Sequence, residues 1–127
     1  MMRFTVASWH TRPVAFWLER LAFTTMASPP KWATEHKRNL AVFAPPPRIV
    51  FGNVSQEDYV AEYRRVMQRR LPFIQDFLID HDGEHVYLLC ACPGNNIDER
   101  FCHRYLIAKL LTWLGCEEVA MEVEVKA

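Results

Sequence analysis

The chain has 127 residues, half of them apolar and 24% charged, with a formal net charge of zero. That length suits one buried core, since independent domains run to about 100 to 150 residues, and the balance is that of an ordinary globule; multidomain, fibrous and disordered classes are excluded and one domain over 1–127 is expected. The zero charge is a sum of opposites, because residues 1–72 hold 11 Lys and Arg against 5 acids while residues 73–127 hold 4 against 10, a split that makes complementary solvated faces or a positive lip beside an anion site.

Arg3 to Ser8 (R-F-T-V-A-S) is β-rich and weakly alternating, which predicts a first strand. Nothing around it has the form of a secretory leader, and every apolar stretch falls short of the roughly 18 residues of a membrane span, so a cytoplasmic protein without a membrane partner is expected. Ser8, His10 and Arg12 follow the strand as a polar group. Pro13 suits the first turn of a short helix over Val14 to Arg20, and Leu21 to Thr25 reads as a second strand. Between Pro29 and Pro47 lie five prolines in nineteen residues, in two clusters around a basic stretch ending at Arg38. They predict a long excursion without regular structure at both points, and such loops tend to carry function.

Ser55-Gln56-Glu57-Asp58 has the form of a capping box and opens a helix whose Tyr59, Tyr63, Val66 and Met67 share one face. Arg64, Arg65, Arg69 and Arg70 fall largely elsewhere. Pro72 breaks or bends that helix; Phe73, Ile74, Phe77 and Leu78 form another apolar face, ended by the Asp80-His81-Asp82-Gly83 turn. Val86 to Cys90 (V-Y-L-L-C) is a continuous apolar run, the pattern of a central strand buried on both faces of a parallel sheet. A helix from about Glu99 to Leu114, capped by Asp98 and closed by Gly115, is apolar nearly all round and implies burial of Phe101, Tyr105, Leu106, Leu110, Leu111 and Leu114. Val119, Met121, Val123 and Val125 then alternate with acids as a half-buried strand near an edge. The expected fold is a small Rossmann-like α/β domain in three layers, a mainly parallel sheet with helices on both faces and a right-handed final βαβ unit.

Ligands of such sheets bind beyond the carboxyl ends of the strands. That rule selects Cys90, Cys92 and then Cys102-His103-Arg104 in one connection, with Ser8 and His10 brought to the same edge by the first strand. A helix amino terminus favours anions and activates thiols, and a guanidinium clamps phosphate or carboxylate.

The run Val86-Tyr87-Leu88-Leu89-Cys90 followed by Phe101-Cys102-His103-Arg104-Tyr105-Leu106-Ile107-Ala108 resembles the signature of a bacterial, archaeal and phage family, the domain of unknown function 488. Weaker likenesses lie in the first strand, Pro30-Lys31-Trp32, Leu40 to Pro45 and the helix from Tyr59 to Tyr63. The resemblance implies a compact Rossmann-like fold and a site at Cys90, Cys102, His103 and Arg104, but no reaction. The chain departs from the family by a longer Cys90-to-Cys102 loop and by Cys92.

Other readings stand beside this one. All four cysteines lie in the last third, unlike a secreted disulfide framework, and Cys116 reads as structural. Taken alone, Cys90 at the end of a buried strand fits a small core residue better than a nucleophile. Cys90, Cys92, Cys102 and His103 are zinc-ligand types, but C-x-C on a strand is not a knuckle spacing, so no metal and no cofactor is expected. Cys92 and Arg100 are too far apart for a phosphate-cradling thiol loop. Arg104 has Asp98 or Glu99 as alternative ion-pair partners; as a ligand clamp it should be dispensable for stability. The leading expectation is a domain that binds, and in one version modifies, an anionic small molecule such as a nucleotide or nucleoside derivative, acting as monomer or homodimer. His103 serves as acid, base or donor with Cys90 and Cys102 beside it; Arg104 clamps the anion; Ser8 and His10 line the edge; Lys31 and Trp32 form a lid with a ring to stack on a base. The rival readings are a nucleic-acid-associated module using the arginine stripe and an interaction protein with no ligand.

Overall fold

Val86 to Leu89, apolar at every position, forms an interior strand. In the computed structural model, which describes residues 1–50, 54–91 and 103–121, β1 (Arg3–Ser8), β2 (Ala22–Thr24), β3 (His85–Cys90) and β4 (Glu117–Glu118) pair in the order β2-β3-β1-β4. Every pairing is parallel, with Phe4 opposite Val86 and Ser8 opposite Cys90. Alternation along these strands divides the core in two. Phe4, Val86 and Leu88 pack on one face with buried residues of α4 (Gln56–Arg69), α5 (Leu71–Asp80) and α6 (His103–Trp113). Ala7, Tyr87 and Leu89 pack on the other with Trp17 of α1 (Val14–Leu18) and Trp32 of α2 (Lys31–Glu35). The described residues are thus a small Rossmann-like α/β arrangement, helix layers on both faces of a parallel sheet. Phe4, Ile74, Leu88 and Leu111 are fully buried, each stabilising the fold by about 1.5 to 3 kcal/mol relative to exposure.

The helix ends follow the sequence signals. Ser55 Oγ accepts from the Asp58 amide at 3.1 Å and starts α4. Pro72 sits in the first turn of α5, where its missing N–H costs nothing. Gly115, at φ +94, ends α6: its amide donates to Thr112 O at 3.0 Å and the Cys116 amide to Leu111 O at 2.9 Å, a Schellman pair that needs the left-handed conformation.

Four expectations are corrected. The proline-rich excursion is not irregular: Pro30 is the N-cap of α2 and Pro47 opens α3 (Pro47–Val50), because proline is excluded from helix interiors but suits a first turn. Phe73 is 68% exposed, since α5 buries only the stripe centred on Ile74 with Phe77 and Leu78 beside it. Helix α6 is not buried all round; His103, Arg104, Ile107 and Leu111 form its buried stripe, while Tyr105, Leu106, Leu110 and Leu114 are half-buried. The last strand comes earlier than the expected alternation from Val119: β4 is Glu117–Glu118, both exposed at the sheet edge, where the chain leaving the Gly115 stop first meets β1, and Val119 N then donates to Phe4 O at 2.7 Å. Cys92, Asp98, Glu99, Arg100, Phe101, Cys102, Val123 and Val125 lie outside the described residues. Among the described residues no helix is long and apolar enough to cross a membrane.

Candidate functional site

Strands β1 and β3 are neighbours, yet the helices that follow them pack on opposite faces, α1 with Tyr87 and Leu89 and α6 with Phe4 and Leu88. Open parallel sheets take ligands beyond the carboxyl ends of neighbouring strands whose following helices lie on opposite faces in this way. Ser8 and Cys90 end the two strands, Thr25 follows β2, and His103 and Arg104 are the first described residues of α6. All five are buried.

His103 Nε2 lies 2.7 Å from the Thr25 carbonyl and 2.9 Å from Thr25 Oγ1. A carbonyl only accepts, so Nε2 carries the hydrogen. The Thr25 hydroxyl donates to Leu89 O at 3.0 Å, which leaves its oxygen lone pairs toward the same N–H. The Tyr63 ring packs 6.0 Å from the imidazole, and Tyr63 Oη donates to Phe43 O at 2.7 Å.

Arg104 is 5% exposed, so the expectation of a solvated clamp is corrected by its position in the buried stripe of α6. Nη1 donates to Cys90 Sγ at 3.6 Å and Nη2 to Tyr105 Oη at 3.0 Å, with the Tyr105 ring 4.9 Å from the guanidinium carbon. The Cys-His-Arg reading thus finds Cys90, His103 and Arg104 together at one strand end; Cys102 lies outside the described residues.

The other site residues separate into scaffold and surface. Ser8 Oγ accepts from the His10 amide at 3.4 Å and caps the turn Trp9–Thr11, and exposed His10 stacks on Trp9 at 3.9 Å. Lys31 is exposed and lies 3.6 Å from Glu35, a solvated i,i+4 pair. Trp32 meets Trp9 edge to face at 6.3 Å, and the two indole N–H groups are buried without a hydrogen-bond partner. Among the described residues no group of three His, Cys, Asp or Glu is placed to hold a metal.

The arginine stripe is uneven. Arg70 Nη1 donates to the carbonyls of Ala41, Val42 and Ala44 at 3.1, 3.1 and 2.7 Å and so fastens α4 to the preceding turn. Arg65 pairs with Glu62, while Arg64 and Arg69 are exposed. Sequence reasoning missed Thr25, Trp9 and Tyr105 as site residues. Thr25 had a signal, a hydroxyl at the carboxyl end of a predicted strand, but its pairing with His103 spans 78 positions. No family model matches the chain, and neither does any curated protein or solved structure.

Proposed function

We propose that the chain binds an anionic small molecule of nucleotide or nucleoside type at the carboxyl ends of β1 and β3. The observation that carries this reading is the buried guanidinium of Arg104 beside Cys90 Sγ, next to the buried imidazole of His103, at the ends of two central parallel strands whose following helices pack on opposite faces. Arg104 supplies the charge that draws an anion, and His103, anchored through Nε2, stands beside it as acid, base or donor. Trp9 and Trp32 support the same reading, because their buried indole N–H groups are donors without a protein acceptor and their rings suit a flat base. Membership of the domain of unknown function 488 family belongs to this proposal, its support being the meeting of Cys90, His103 and Arg104.

Thermal melts of the wild-type protein against a panel of nucleotides, nucleosides and sugar phosphates test it. A rise in melting temperature with a phosphorylated ligand, lost in a folded Arg104→Lys variant, is expected. A panel without any stabilising member removes the reading.

A further inference from the structure

A groove of about 530 Å³ runs between α4 and α6, away from the residues of the proposed site. Met67, Leu71, Leu106 and Leu110 make it apolar, and Trp113 stands in it 77% exposed. Among the described residues its charged lining residues are cations, Arg64 from α4 and Lys109 from α6, and no acid lines it. Among the described residues neither cation has an ion-pair partner, whereas the adjacent Arg65 is paired with Glu62. Each wall of the groove thus carries one cation beside an apolar floor, a lining that favours an anion over a cation.

We propose that this groove binds a small amphipathic anion, a carboxylate on an aromatic or short aliphatic body. The volume lies within the roughly 300 to 1,000 Å³ of small-molecule sites. The lining runs from Tyr63 to Gln68 on α4, with Leu71 at the start of α5, and from Leu106 to Trp113 on α6, about 10 Å of helix at 1.5 Å per residue, which is short for a stable protein interface of about 800 Å² per partner. The ligand's apolar body covers Leu106, Leu110 and the Trp113 ring, and its carboxylate sits between the guanidinium and the ammonium. The buried Tyr63, which lines the groove and packs on the His103 ring, closes it toward His103.

Calorimetric titration with sodium octanoate, 1-octanol and octylammonium distinguishes this from bulk hydrophobic binding. One octanoate per chain is expected, with octanol and octylammonium weaker. Arg64→Glu with Lys109→Glu should reduce octanoate affinity about tenfold, since two rim ion pairs are each reversed; Arg64→Gln with Lys109→Gln replaces this pair if reversal unfolds the chain. Leu110→Glu should abolish binding by placing a carboxylate on the floor. Octanol binding as tightly as octanoate, or an affinity indifferent to the charge changes, overturns the proposal. A dimer in sedimentation that Trp113→Ala dissolves also overturns it, because a second copy then occupies the groove. Nucleotide stabilisation in the charge variants reports separately on the other site.

Discussion

Thr25 couples the end of β3 to His103: its hydroxyl donates to Leu89 O at 3.0 Å while its own carbonyl receives the His103 Nε2 hydrogen at 2.7 Å. His103→Gln keeps an amide nitrogen near the Nε2 position, and His103→Asn does not reach it. Urea melts should show a cost below about 1 kcal/mol for Gln and roughly 1 to 3 kcal/mol for Asn, the range for a buried acceptor left unmet. Nitrogen-15 spectra of the histidines should show Nε2 of His103 protonated. Equal losses for the two variants would mean that ring packing against Tyr63, not the Nε2 bond, holds the residue.

Arg104 is part of the scaffold as well as of the proposed site. A guanidinium that touches Cys90 Sγ and Tyr105 Oη from a buried position is not dispensable, so Arg104→Ala should cost roughly 1 to 3 kcal/mol. Arg104→Lys keeps the charge but cannot span both partners with one ammonium. Tyr105→Phe, which removes one acceptor, should cost about 1 kcal/mol. Denaturant melts of the three variants give the order.

Elements set by local pattern were legible in the sequence, and pairings across the chain were not. The alternation of Arg3 to Ser8, the Ser55 cap, the apolar run ending at Cys90 and the Gly115 stop each act within a few residues, and each matches an observed element. The prolines misled because the same residue that breaks a helix interior begins α3 at Pro47. The Cys90, His103 and Arg104 grouping was readable from the rule that places ligands at strand ends. The Thr25 contact was not, because it depends on how β2 sits beside β3. Arg104 burial was equally hidden: helical periodicity gives a stripe, and packing decides which polar residues fall in it.

Arg70 and Arg69 are adjacent and chemically identical, yet only Arg70 holds the carbonyls of Ala41, Val42 and Ala44. Arg70→Ala should cost about 2 kcal/mol through the lost charge-assisted bonds, whereas Arg69→Ala should stay within about 0.5 kcal/mol. If a nucleic acid binds this face, Arg69→Ala weakens it and lowers its salt dependence with stability unchanged. Melts and salt-dependent binding isotherms on the pair separate scaffold from contact.

Burial raises the Cys116 thiol above its ordinary value, opposed only in part by the positive amino terminus. The folded chain therefore keeps this proton at a pH where the unfolded chain loses it. The stabilisation is whole below the ordinary thiol range and is lost as the pH rises through the raised value, with a slope of at most about 1.4 kcal/mol per pH unit for one proton. Cys116→Ala should flatten the alkaline limb of the stability profile. In the native wild type, peptide mapping should find Cys116 alkylated by iodoacetamide far more slowly than in urea.

Lys37 is the one non-glycine residue with positive φ among the described residues, at +54. It ends α2 as Gly115 ends α6: the Lys37 amide donates to Thr34 O at 3.2 Å and the Arg38 amide to Ala33 O at 2.7 Å. For a residue with a Cβ the left-handed conformation costs about 1 to 2 kcal/mol, and the Lys37 side chain is exposed. The chain tolerates the strain because the turn delivers Arg38, whose guanidinium donates to Arg20 O at 2.7 Å and Ala22 O at 3.3 Å and ties α2 to β2. Lys37→Gly removes the strain but gives the unfolded chain more freedom, so a net gain of about 0.5 to 1 kcal/mol is expected. Lys37→Ala keeps the Cβ and should gain nothing, and Lys37→Pro, which forbids this φ and deletes the donated N–H, should lose several kcal/mol, about 3 or more. Urea melts should rank the four proteins Gly, then Lys level with Ala, then Pro. A glycine variant no more stable than the wild type would show that the left-handed turn at Lys37 is not strained.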